Sequence, residues 1–530
     1  MLIIIGLLFV VIFAMAGCTT GNKPATGNHI RYALSAEPES IDPRMSTSLS
    51  GSAVEAQLFE GLTTLDANNR PVAAAAERWQ ISPDGRKITF VLRAGLKWSN
   101  GEPVTAQDFE YAWKTGLSPE LASPNAYMLY CLKNGEAYAT KKATAEQVGV
   151  RAKDEKTLEV ELERPTAYFL SLTAFHAFYP IHKKTVQANE KWANQPQTMI
   201  SNGPFKLSAW VKSSRMELLK NEHYWDAAKV KSAKIELFLL DNSSTALSMF
   251  DSGQLDMGDS IPPTEVPRLV KDGKVTIHPF LGTFYVSFNV TKPPFDNAKV
   301  RQAFALAINR QAIAETLLRG GQIPALAFVP PGLADAKLDE DFRAKGGALL
   351  KDHDVAKARQ LLAEAGFKDG VGFPSVTYLY NTSESNKMVA EALQEMWRKN
   401  LGVQVALSNQ EWKVYWDSLD KHQFQMARES WSGDYPDPMT FLDLFVTAGS
   451  NNSPDYRNPA YDRLIQTAQN ALDPAARMQT LHQAEKILID DAVIAPVFFQ
   501  TNPVMIRPQV KGVLRSILGV PYLKEAYLEK

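Results

Sequence analysis

The 530-residue chain predicts a multidomain α/β fold, and three observations carry that prediction. Short alternating runs such as His29-Ile30-Arg31-Tyr32-Ala33-Leu34 and Ile88, Phe90, Leu92 read as strands. Amphipathic stretches at helical spacing lie between such runs and give a β-α-β rhythm. At roughly 100–200 residues per domain, the length implies two to four domains. The composition, 45% hydrophobic and 22% charged, is that of a globular chain and excludes extended disorder. The net charge of −1, with no basic block, argues against nucleic acid or an anionic membrane as the main partner.

The elements follow in order. Residues 29–34 form the first strand, and Glu37-Pro38 to Asp42-Pro43 a proline-bounded turn. Residues 52–58 read as a helix, with Gly61 suited to end it in the left-handed conformation. Pro83-Asp84-Gly85 and Asn100-Gly101 are turns, and the strand at 88–92 lies between them. Thr105 with Asp108 three residues on is a capping box, opening a helix through Trp113. Val300, Phe304, Ala307 and Ile308 recur at helical spacing and read as core. Asp354 caps and Gly366 stops another helix. Strands at 376–380 and 403–407 flank a helix near 385–399. In the stretch 428–438, Gly433, Pro436 and Pro438 disfavour a helix or a long strand, so a constrained loop is expected. No tandem repeat or low-complexity block occurs.

The first seventeen residues carry no charge and are nearly all apolar. They end in Met15-Ala16-Gly17-Cys18, which resembles a bacterial lipoprotein signal cleaved before Cys18, with acylation of that thiol. Met15 stands where Leu is usual, and no Lys or Arg precedes the apolar run. The alternative is an uncleaved anchor; either way the body is exported. Residues 18–28 read as a flexible polar tether. Cys131 is the only other cysteine and reads as a small apolar residue.

Taken whole, the string from Ala76-Glu77-Arg78-Trp79 through Lys97-Trp98-Ser99-Asn100-Gly101 to Asp108-Phe109 resembles the signature of family 5 extracellular solute-binding proteins. These are the oligopeptide, dipeptide and nickel receptors of ABC importers. Ser201-Asn202-Gly203-Pro204-Phe205, residues 246–256, 282–289 and 292–310 continue the resemblance towards the C-terminus. It implies a two-lobed periplasmic-binding-protein fold of type II with an inserted accessory domain, three domains in all. The implied first lobe is 29–60, 199–281 and 502–530; the accessory domain is 61–198; the second lobe is 282–501. A hinge is expected near 281–283 and 500–503.

No His pair falls at i, i+3 or i, i+4, and there is no Gly-x-Ser-x-Gly elbow, phosphate loop or dinucleotide turn. No enzymatic activity, cofactor or protein-held metal is therefore expected. Eight of the thirty-five residues from Glu411 to Phe445 are aromatic, which suits a site that accepts varied side chains. Tyr415, Phe424 and Phe441 are assigned to packing. Arg428 follows Trp412 by sixteen residues, and Trp431 and Asp434 come next. This order is similar to that of oligopeptide-binding members. The resemblance implies that Asp434 meets a ligand's α-ammonium and Arg428 a carboxylate or polar group. It further implies that Trp412, Trp431 and Tyr285 border the peptide, that Leu49 touches it from the first lobe, and that Tyr127 lines the pocket. Asp437, between two prolines, is read as a turn residue. The expected protein is a monomeric, lipid-anchored receptor on the extracytoplasmic face. It delivers oligopeptides to ABC permease subunits. Receptors for another solute, such as a metal chelate or a sugar, and surface peptide sensors stay open as alternatives.

Overall fold

A computed structural model describes residues 28–447 and 449–529. Its spine is one long mixed sheet. From one edge the strands run Val405–Gln410, Val376–Asn381, Met426–Ser432, Val275–Phe288, Ile494–Ile506, Met257–Gly258, His29–Leu34, Lys234–Leu239, Arg215–Lys220 and Phe205–Val211. Two strands are shared by both halves of the sheet. Val275–Phe288 and Ile494–Ile506 run antiparallel along their length, with a register break between Pro279 and Thr283. On one side of the break Met505 and Ile506 pair with the 257–258 strand; on the other, Gly282–Phe288 pairs with Met426–Ser432. The chain thus forms two lobes joined by two adjacent strands. Such a connection lets the lobes rotate without breaking either core.

The accessory domain has its own four-stranded antiparallel sheet, Ala76–Ile81, Lys87–Leu92, Thr157–Glu161 and Val150–Ala152. Ile88, Phe90 and Leu92 point inward at 3%, 0% and 2% exposure, as their alternation requires. The capping box is formed: the Thr105 amide donates to Asp108 at 2.8 Å, opening the helix Ala106–Gly116. This domain touches both lobes. Tyr168 stacks on Tyr435 of the second lobe, with centroids 4.1 Å apart and planes 7° from parallel.

Other local expectations also hold. Val300, Phe304, Ala307 and Ile308 are fully buried, Asp354 accepts from the Lys357 amide at 3.2 Å, and Gly366 has φ +97°. The Val376–Asn381 and Val405–Gln410 strands pair in parallel around the helix Glu384–Leu401.

Two expectations fail. Gly61 is not a left-handed cap, since the helix Leu49–Leu58 ends at Phe59 in an extended conformation. Gly61 is instead needed for close approach, because a Cβ there would lie 2.1 Å from the Thr173 carbonyl oxygen. The stretch from Arg428 begins as strand rather than loop, and the chain leaves the sheet from Gly433 onward. Full pairing with Gly282–Phe288 draws residues 428–432 into the sheet, and the loop expected from the glycine and prolines begins at Gly433.

Candidate functional site

Between the lobes lies a cavity of about 390 Å³, lined from the first lobe by Leu49, Ala53 and Asp259 and from the second by Phe284, Asn386 and Arg428. Its volume lies in the range of small-ligand pockets. Leu49 is the first residue of its helix and is 56% exposed, so its side chain is presented to the cleft at little packing cost. Arg428 lies over the Phe284 ring, 4.9 Å from the centroid. Its Nη1 donates to Asn381 Oδ1 at 3.4 Å, and its buried Nε has no partner among the described residues. The cavity therefore contains an under-used guanidinium, suited to an oxygen-rich ligand group.

Asp434 lies in a second group of side chains. Strand alternation sends Arg428 to one face of the sheet and Glu429 and Trp431 to the other. Beyond the strand end, the Asp434 amide donates to Thr440 Oγ1 at 3.2 Å, and Trp431 Nε1 donates to the same oxygen at 3.5 Å. The Tyr127 hydroxyl, from the accessory domain, lies beside the Asp434 carboxylate. Burial pushes that carboxyl up to about 6, against a smaller opposing effect of the nearby Tyr127 hydroxyl. Among the described residues no Lys or Arg forms an ion pair with it.

Asp437, three residues on, is fully engaged. Its two oxygens accept from Arg477 at 2.8 Å each, and Oδ1 also takes the Met439 amide at 2.9 Å. It holds the turn, as its sequence context predicts.

The remaining site residues are distributed unevenly. Trp412 opens the helix Trp412–Asp420, which Glu411 caps through the Lys413 amide at 3.0 Å. It is 48% exposed and stacks on Tyr415, whose hydroxyl donates to the Arg428 carbonyl. Trp412 is thus linked through Tyr415 to the backbone of Arg428. Tyr285 is 3% exposed, packed edge-on against Phe328 and Phe445, with its hydroxyl donating to Glu429 at 3.4 Å. It does not line the cavity at Arg428, whose face alternation gives to Phe284, and lies instead on the face of the sheet that carries Glu429 and Trp431. Tyr415, Phe424 and Phe441 are buried core residues. Cys18 lies outside the described residues. Cys131 is a free thiol that burial pushes up to about 12.

Sequence reading missed several participants. Asp259 forms the cavity floor, held by Arg515 at 3.0 Å and by the Tyr32 hydroxyl. Asp443 is pushed up to about 7, first by burial and then by Asp434 and Asp437. Asn386 and Ser385 present the first turn of the helix Glu384–Leu401 to the cavity. No spacing linked Asp259, Asp443 and the Ser385–Asn386 pair to one another, since they arrive on three separate segments.

Beyond Ala427 the strand Met426–Ser432 has a ladder partner on one side only, because its pairing with Val376–Asn381 stops at Leu379. Two lobes, an intervening cavity and a free strand edge beside an unpaired carboxylate define a receptor that closes around its ligand. The model of bacterial extracellular solute-binding proteins, family 5, middle part, matches residues 70–453. The oligopeptide-binding protein OppA of Bacillus subtilis (strain 168) is 38% identical over 520 residues, covering 96% of this chain and 94% of that protein. The solved murein tripeptide-binding protein MppA of Escherichia coli superposes with a TM-score of 0.80 at 36% identity, covering 96% and 99% of the two chains. OppA of Haemophilus influenzae, solved in complex with the peptide RPPGFSPFR, gives 0.77 at 33% identity, covering 95% and 99%. The chain belongs to the family 5 bacterial extracellular solute-binding proteins.

Proposed function

We propose that this chain is the extracytoplasmic substrate-binding component of an ABC importer. It captures oligopeptides between its lobes and hands them to membrane permease subunits. The observation that carries this reading is the Asp434 carboxylate, partly buried, without an ion pair among the described residues and adjacent to an open strand edge. A receptor for many sequences must bind what peptides share, which is their terminal charges and main-chain amides. An ammonium taken into a cleft needs a counter-charge, and Asp434 supplies one. The free edge of residues 430–432 can accept a peptide as an added strand. Arg428 offers donors to a carboxylate or a carbonyl further along the cleft. Trp412 and Trp431 supply apolar contact that tolerates different side chains. Leu49 and Tyr127 bring the first lobe and the accessory domain into the same enclosure, so ligand binding favours the closed arrangement.

The hinge of this motion is the pair of segments near 281–283 and 500–503. The three bodies are 29–60 with 199–281 and 502–530, then 61–198, then 282–501. The chain acts as a binder without catalytic turnover. It acts as a monomer held at the extracytoplasmic face of the cell membrane by a lipid on Cys18. Peptides bound by relatives at above 30% identity support the ligand class. Native mass spectrometry of the purified protein tests it: co-purified peptides returned unchanged in mass are expected, whereas a bound sugar or metal chelate would overturn the peptide assignment. Radiolabelled palmitate incorporated into the wild type but not into Cys18→Ala checks the anchor.

A further inference from the structure

The first lobe and accessory domain enclose another cavity, also about 390 Å³, to which the second lobe contributes no residue. Its walls come from the end of the helix Leu49–Leu58, the chain just after it and the C-terminal segment at 512–525. The rings of Phe59, Tyr179, Tyr224 and Tyr522 line it. Glu60 stands in the wall. The Tyr224 hydroxyl and the Trp225 indole nitrogen, the latter at 2.6 Å, donate to its carboxylate, and burial raises its pKa.

The Glu60 carboxylate is not needed to fix the chain at this point. The Glu60 amide donates to Asn202 at 3.1 Å, and Asn202 returns a bond to the Glu60 carbonyl at 2.9 Å. The neighbouring cation, Lys524, is held by Asp226 at 3.0 Å. Among the described residues no cation forms an ion pair with Glu60. Glu525 adds a further carboxylate, so the lining carries more negative than positive groups. A carboxylate satisfied only by neutral donors, in an aromatic-walled cavity, has the chemistry that receives an organic cation. The charge is matched by Coulomb attraction, and the apolar body by ring contact.

We propose that this cavity is a second ligand site, separate from the interlobe cleft, for a small ammonium compound with an aromatic body. The head rests on Glu60 and the body lies between Phe59, Tyr179 and Tyr522. The site is complete without the second lobe, so its occupancy does not require closure around a peptide.

Isothermal titration of the peptide-free protein with phenethylamine, and with 2-phenylethanol as the neutral counterpart, tests this. Saturable one-to-one binding of the amine is expected, retained in Asp434→Asn, with the alcohol roughly tenfold weaker or more. Glu60→Gln should weaken the amine by a similar factor. Because that change also disturbs Tyr224 and Trp225, Leu514→Trp provides a second arm: it fills the cavity from the opposite wall and should abolish amine binding while leaving peptide binding intact. Absence of saturable binding to the wild type would overturn the proposal. So would binding that is lost in Asp434→Asn and kept in Leu514→Trp, since the amine would then occupy the peptide cleft.

Discussion

Asp434 and Asp437 are three residues apart and occupy opposite electrostatic regimes. Asp437 is 7% exposed and sits in a two-bond pair with Arg477 that also receives a backbone amide. Asp434 is partly buried with only neutral donors around it, and burial lifts it to about 6. The same side chain is thus neutralised within the fold at one position and left without a cation at the other; the proposed function gives that second one to an outside partner. Buried charge is costly when uncompensated: the chain compensates Asp437 internally, and Asp434 has no such ion pair among the described residues.

The largest expected effect tests the closed side of this pair. Arg477→Ala leaves Asp437 buried without a cation and should lower folding stability by about 3–5 kcal/mol, read from the midpoint of urea unfolding. A loss within experimental error would show that Asp437 is not held by charge. The open side should respond in ligand binding instead. Asp434→Asn is expected to weaken free-amine peptides by on the order of 2–5 kcal/mol and N-acetylated peptides little, with folding stability unchanged or higher. Calorimetry giving equal losses for both peptides would reject Asp434 as the ammonium partner.

Acidification separates the two regimes in one protein. With Asp434 near 6 in the free protein, lowering the pH from 7 to 5 protonates it. Peptide affinity should then fall by roughly tenfold per pH unit below that value, a dependence absent from Asp434→Asn. The groups facing Asp434 are Tyr127, Thr440 and Asp443, and Asp443 titrates near 7 in the same sense. Stability of the free protein moves the other way. A carboxyl raised from 3.8 favours the folded state at low pH, and that contribution is lost as pH rises towards 6. The smallest effect is expected at the helix Trp412–Asp420. Trp412→Ala should cost about 0.5–1.5 kcal/mol of peptide binding and no folding stability, because the ring is half exposed and stacks only on its own helix.

Local physics was legible without coordinates. The capping box at Thr105, the inward triplet Ile88, Phe90 and Leu92, and the Asp354 cap each follow from short-range hydrogen bonding or two-residue alternation. Asp437 was assignable to the turn because flanking prolines restrict its backbone. The two failures have the same cause in reverse. Gly61 answers to a carbonyl more than a hundred residues away, and Arg428–Ser432 answers to a partner strand at 282–288.

The sequence by itself determined the α/β class, the exported character it predicts, the family resemblance, and the candidacy of Arg428, Trp431 and Asp434 as neighbours in one stretch. The tertiary structure decided what those neighbours do. It separated Arg428 from Trp431 across a sheet, set Phe284 and Tyr285 on its opposite faces, and brought Tyr127 to Asp434 and Arg477 to Asp437. It also built the Asp259 and Asn386 walls of the cleft and the separate cavity at Glu60. Side-chain alternation and capping act over a few residues and are written locally. Burial and charge compensation depend on which distant segments meet, and they set whether an acid is a strut or a binding group.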